Sequence, residues 1–176
     1  MPPFVLLALL TSGVAAIVDW RRREIPNWLT LGTLAVAPIA HAAIAGMHGG
    51  PVAAARQAGW ALGGALACAM VPFAFWTRDA FGGGDVKMLA ALGALLLPMQ
   101  GIEVEFYALL VAALLAPARL AWDGTLIRVL GNTAALVFNP LVPKVRRREL
   151  APEMLTSVRF GPAIFAGVAI SALLRR

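Results

Sequence analysis

Two aspartates stand where apolar stretches meet polar loops. Asp19 lies in Val18-Asp19-Trp20-Arg21-Arg22-Arg23-Glu24-Ile25-Pro26-Asn27, and Asp85 in Phe81-Gly82-Gly83-Gly84-Asp85-Val86-Lys87. A carboxylate at the edge of a bilayer costs free energy unless it is solvated, paired or used, so two such sites point to chemistry at a membrane surface. If the two come within a few ångströms they cannot both ionise cheaply, and the pair holds a proton across the physiological range. One ionised carboxylate can then take a proton from water as it attacks a peptide carbonyl, while its protonated partner donates to the developing oxyanion. That is aspartic-protease chemistry and asks for no metal; the sequence offers no HExxH motif. A serine nucleophile fits poorly, because Ser12, Ser157 and Ser171 lack a GxSxG elbow and His41 and His48 map to the opposite membrane face.

Each aspartate also has a plainer use. Asp19 could end the first helix as an interfacial carboxylate paired with Arg22 or Arg23, and Asp85 could cap a helix after a glycine-rich turn. The three glycines before Asp85 let the backbone bend sharply and approach a neighbour closely. Pro26-Asn27 can restart the chain into a second helix after Asp19. Asp79 and Asp123 read as solvated or capping groups, Glu103 and Glu105 as outer-face carboxylates, and Arg146 to Arg148 as an anchor against anionic lipid. Cys68, the sole cysteine, reads as a small buried hydrophobe, leaving neither a disulfide nor a CxxC zinc site.

Elements able to position these residues follow from composition. The chain of 176 residues is 60% hydrophobic and 14% charged, with a mean hydropathy of +0.80. That mix excludes an ordinary soluble domain and predicts an all-α polytopic membrane protein forming a single membrane domain over residues 1–176. Spanning takes roughly 20 mostly apolar residues, which predicts about six crossings. They run near Pro3 to Val18, Trp28 to Gly46, Val52 to Trp76, Val86 to Leu97, Val104 to Trp122 and Phe160 to Leu174. The formal charge of +6 falls between apolar segments instead of on one soluble face, so it reads as a topology signal and not as a nucleic-acid surface. Arg21 to Arg23, the Arg78 and Lys87 loop, and the basic stretch from Arg119 to Arg159 are all expected at the cytoplasmic face, with both termini outside. Residues 124–158 are expected to lie at the cytoplasmic interface, because a further crossing would export Lys144 and Arg146 to Arg148. His48 to Pro51 and Met99 to Glu103 are expected as outer loops, and Gly59, Gly63 and Gly64 as a close-packing helix face. On this topology the first segment ends where the fourth begins, so Asp19 and Asp85 share one side.

Asp19 with Arg23-Glu24-Ile25-Pro26-Asn27, together with Gly82-x-Gly84-Asp85-x-Lys87, resembles the type IV prepilin peptidases, membrane aspartic proteases of the GxGD class. Met88-Leu89-Ala90-Ala91-Leu92-Gly93 and Arg159-Phe160-Gly161-Pro162-Ala163 are similar to that family as well. The resemblance implies an inner-membrane peptidase, without cofactor, that removes the short basic leader of a prepilin-like precursor beside the precursor's apolar helix. It implies Asp19 and Asp85 as catalytic pair, Gly82 and Gly84 as shapers of the Asp85 loop, and Lys87, Pro26 and Asn27 as supporting positions. Longer family members carry an N-terminal cysteine-rich insertion and methylate the new N-terminus; its absence here resembles the short, peptidase-only form that serves Flp pili. Two other classes keep acids in a helix bundle: a proton-coupled transporter, which needs carboxylates along a midplane path, and a non-catalytic secretion-system component. Archaeal preflagellin peptidases share the same dyad logic.

Overall fold

Apolar sequence in a bilayer must satisfy its own backbone hydrogen bonds, and the helix does so locally. The computed structural model describes residues 2–77, 81–122, 124 and 160–175, and every regular element among them is helical. They are α1 (Pro3–Arg22), α2 (Asn27–Trp76), α3 (Gly83–Trp122) and α4 (Gly161–Leu174). Three of them, Pro3–Arg22, Asn27–Trp76 and Gly83–Leu115, are long and apolar enough to cross a membrane, and α4 is a shorter apolar helix. The protein is a membrane protein.

Two of the helices are not straight. Backbone angles leave the helical region at Gly50 in α2 (φ 72°, ψ −171°) and at Leu97 in α3 (φ 66°, ψ 166°). Eight residues of continuous helix advance about 12 Å. A Cβ on Gly46 would nevertheless lie 3.3 Å from the Ala54 Cβ, and one on Gly101 would lie 2.9 Å from the Gly93 Cα. Both helices therefore fold back on themselves, α2 at Gly50 and α3 at Leu97. Pro51 and Pro98 follow these turns, as Pro3 and Pro162 open α1 and α4, each where a missing N–H costs least.

The chain divides into two compact units, Met1–Val111 with Arg159–Arg176, and Ala112–Val158. In the second, description is limited to the end of α3 and Gly124, so Asp123, the rest of the segment expected at 124–158 and its basic cluster lie outside the described residues, as do Arg78 and Asp79. In the first unit the core is built around the early part of α3, where Met88, Leu89 and Leu92 are fully buried, and around Ile164 and Val168 of α4. Close approach is set by glycine: an added Cβ on Gly64 or Gly93 would overlap the other's carbonyl, and Gly93 and Gly101 also press on Cys68. Gly64 thus packs as expected, whereas Gly59 and Gly63 meet nothing within 4 Å and face away.

Two further expectations change. Asp19 does not end α1: the helix continues to Arg22, and Arg23 closes it in the left-handed conformation while its N–H bonds the Asp19 carbonyl. Nor is Met99 to Glu103 a loop, because the reversal is made at Leu97 and helix resumes at once. Glu103 instead accepts Arg175 Nε–H at 2.8 Å and the Ser171 hydroxyl at 3.3 Å, tying α3 to the end of α4.

Candidate active site

Asp19 sits in the last turn of α1 with its side chain turned into the protein, 7% exposed. Its Oδ2 accepts the backbone N–H of Gly161 at 3.0 Å. Gly161 is the first residue of α4, where helix N–H groups lack intrahelical acceptors, so the carboxylate satisfies a donor the helix leaves open. Asp85 is the third residue of α3. Its Oδ2 reaches back to the N–H of Gly82 at 3.2 Å. That is the acidic half of a capping box; Asp85 therefore stabilises the start of its helix from inside the first turn and is not the cap residue itself. Gly161 follows Phe160, whose ring packs on Phe81 at 4.6 Å, and Phe81 precedes Gly82, so the glycines that hold the two carboxyls are joined through that ring pair. Each has one oxygen, Oδ2, held by a glycine N–H.

The supporting residues draw the two loops together. Pro26 is extended (φ −66°, ψ 136°) and caps α2, whose first residue is Asn27. The Lys87 ammonium donates to Asn27 Oδ1 at 3.0 Å, joining α3 to the start of α2. Gly84 brings α3 against Ile25, and a Cβ there would lie 3.3 Å from the Ile25 Cβ. At Gly82 an added Cβ would lie 3.0 Å from Asp85 Oδ2, so the carboxyl folds over a position that has room only for hydrogen. Asp19, Asp85, Gly82, Gly84, Lys87, Pro26 and Asn27 thus occupy a single region. His41, buried elsewhere in α2, is committed to the Leu95 carbonyl at 3.0 Å and stacks on Phe4, outside this region.

Sequence reasoning assigned no role to a second ring of contacts. Phe81, just before the glycines, packs on Phe75 at a centroid distance of 5.6 Å and edge-on against Phe160 at 4.6 Å. Phe160 immediately precedes Gly161. The available signal was a glycine directly ahead of a proline at a helix start, a position where a side chain is dispensable and a free N–H remains.

Two acidic residues near the ends of apolar helices, each held by a glycine N–H, are what this all-helical membrane protein places where helix meets loop. The family model for type IV leader peptidases matches residues 4–117, and the chain belongs to that family. It is accordingly a peptidase, a hydrolase of peptide bonds. No curated protein and no solved structure matches the chain. The matched stretch contains both aspartates and all the supporting residues; Phe160 and Gly161 lie beyond it.

Proposed function

We propose that this protein is an aspartic endopeptidase that removes the basic leader from type IV prepilin-like precursors of the Flp type at the cytoplasmic face of the inner membrane. The observation that carries the reading is that Asp19 and Asp85, on separate helices, are each oriented by a glycine N–H, and that the phenylalanines beside those glycines pack on each other. Sharing one proton, the pair activates water with its ionised member and polarises the scissile carbonyl with its protonated member. Anchoring through Oδ2 keeps both carboxyls from rotating, so the free oxygens meet water and carbonyl with little reorganisation.

The two reversals, at Gly50 and Leu97, support six crossings with both termini outside. The arginines at the end of α1 favour the cytoplasmic side for the pair. The position of Asp19 in a last turn and Asp85 in a first turn favours surface chemistry over a midplane proton path. The substrate's own apolar helix lies in the same bilayer, so its leader reaches the pair from the loop side. No methylation of the new N-terminus is expected.

The test is leader cleavage of a co-expressed candidate prepilin in membranes, with wild type compared against Asp19→Asn and Asp85→Asn at matched protein levels. Both variants are expected to lose cleavage by a factor of at least about 1,000, as expected when a group that carries the proton transfer is removed. Retained cleavage in either variant sinks the pair.

A further inference from the structure

Phe160 and Gly161 open α4, well outside the stretch that matches the family, yet together they touch both aspartate-bearing segments. Gly161 does so directly, through the N–H bond to Asp19 Oδ2. The approach is so close that a Cβ at 161 would stand 2.8 Å from that oxygen, 2.9 Å from the Asp19 Cβ and 3.2 Å from its Cγ. Asp19 is buried and cannot step aside, so glycine is the residue that both donates and fits. Phe160 acts on the other segment. Its buried ring meets Phe81 edge-on at 4.6 Å, and Phe81 leads into Gly82, whose N–H holds Asp85.

These two neighbours belong to a stiff reference frame. Pro162 fixes φ in the first turn of α4. Further along, Ile164 and Val168 are fully buried, and Gly167 lies against the backbone of Val104 and Ala108 in α3. A helix start so anchored holds one carboxyl by a hydrogen bond and the other by way of a ring and a glycine turn.

We infer that Phe160 and Gly161 form a positioning clasp that sets the separation of the Asp19 and Asp85 carboxyls. The inference rests on the catalytic reading of the pair and extends it to a helix that the family match does not cover. Neither residue touches the substrate bond; both act through the carboxyls they hold. The clasp gives α4 a role distinct from filling the bundle, because its first residue and the cap residue before it, unlike the remainder of its length, hold the aspartate-bearing segments.

The experiment uses the full-length enzyme in detergent and a purified prepilin-like precursor with a basic leader. Phe160→Ala and Gly161→Ala are each expected to lower kcat by about 100-fold with KM within about twofold, since ångström-scale misplacement acts on the chemical step and not on precursor binding. Gly59→Ala, where an added Cβ meets nothing within 4 Å, is the control and keeps wild-type kinetics. A kcat within threefold of wild type in both clasp variants, or a loss confined to KM, overturns the clasp.

Thermal melting supplies a readout that does not depend on activity. Gly161→Ala is expected to lower the midpoint by a few degrees in an otherwise wild-type chain and by much less in Asp19→Gly, where both the colliding carboxyl and the Cβ are gone. Phe160→Ala is likewise expected to cost less in a Phe81→Ala background. Strict additivity in both cycles overturns the contacts on which the clasp depends. Should Asp19→Asn and Asp85→Asn still cleave, the catalytic reading falls, while the melting cycles continue to decide whether residues 160 and 161 hold the two segments.

Discussion

Gly84→Ala tests how tightly the two loops must close. Gly84 stands in the first turn of α3, where alanine is conformationally welcome and favoured over glycine by up to about 1 kcal/mol. The new methyl would lie 3.3 Å from the Ile25 Cβ and 3.6 Å from the Ile25 N and O. Ordinary contacts of this kind begin near 3.4 Å, so Ile25 must yield by a few tenths of an ångström. Ile25 is 8% exposed. It precedes Pro26, whose ring fixes the backbone, so the strain has few outlets other than the spacing between the end of α1 and the start of α3. That spacing is also the one between Asp19 and Asp85. A misplacement near 1 Å costs about 100-fold in rate, so a few tenths should cost about three- to tenfold in kcat, while helix propensity and strain nearly cancel in stability. Gly84→Val adds bulk that Ile25 cannot accommodate and should cost at least about 100-fold. The assay is precursor cleavage at matched enzyme levels beside a thermal melt of the same preparations. A Gly84→Val enzyme that melts and cleaves like wild type would refute the claim that these loops set the catalytic spacing.

Two further perturbations probe other parts of the design. Lys87→Met keeps the aliphatic stem but loses the bond to Asn27, and Asn27→Ala removes the acceptor; an exposed hydrogen bond is worth about 0.5–1.5 kcal/mol, so each should slow cleavage by about two- to tenfold, with no further loss in the double variant. A severe loss in Lys87→Met alone would assign the ammonium to something other than Asn27. Gly50→Ala puts a side chain at φ 72° where its Cβ meets nothing within 4 Å. The cost is therefore purely conformational, about 1–3 kcal/mol, or about 2–10 °C in Tm, and an unchanged melt would mean the α2 reversal is not held at that residue.

Much of the site was legible because its residues are punctuation. Asp85 follows three glycines, Asp19 stands just ahead of three arginines, and Pro26-Asn27 marks a restart; each signal is local, and α2 and α3 start where theirs stood. Side-chain direction was less readable. Asp19 was expected to end its helix in reach of arginine, but Arg23 takes the left-handed closing conformation, which lets α1 run one more turn and leaves Asp19 facing inward. The reversal at Leu97 was also displaced, because the polar residues Gln100 and Glu103 imitate a loop while Leu97 itself adopts backbone angles that ordinarily belong to glycine. Glu103 is polar for a different reason, its tie to Arg175. Gly59 and Gly63 share the spacing of Gly64, yet only Gly64 meets a neighbouring helix, since a small-residue pattern says which faces can approach and not which one does. Gly161 stood in a stretch similar to the family, but its partner was hidden for the deepest reason: it acts by its backbone N–H, which every residue but proline possesses, and only the fold reveals which carboxyl that donor finds.

On the proposed reading, backbone anchoring suits a pair that must remain reactive. An arginine or lysine placed beside either aspartate would hold it as well, but would favour the doubly ionised state and remove the shared proton on which the chemistry depends. A neutral N–H orients one oxygen with less electrostatic bias, and glycine lets the donor come close without a side chain to exclude water. Lys87, the cation of the second motif, is accordingly engaged elsewhere, at Asn27. The arginines after Asp19 are exposed along the end of α1. Among the described residues, the hydrogen bonds on the carboxyls come from the Gly82 and Gly161 N–H groups. The proposed arrangement therefore separates two tasks that a charged anchor would merge: placing the pair in the bilayer, and fixing the geometry in which it would activate water against a peptide carbonyl.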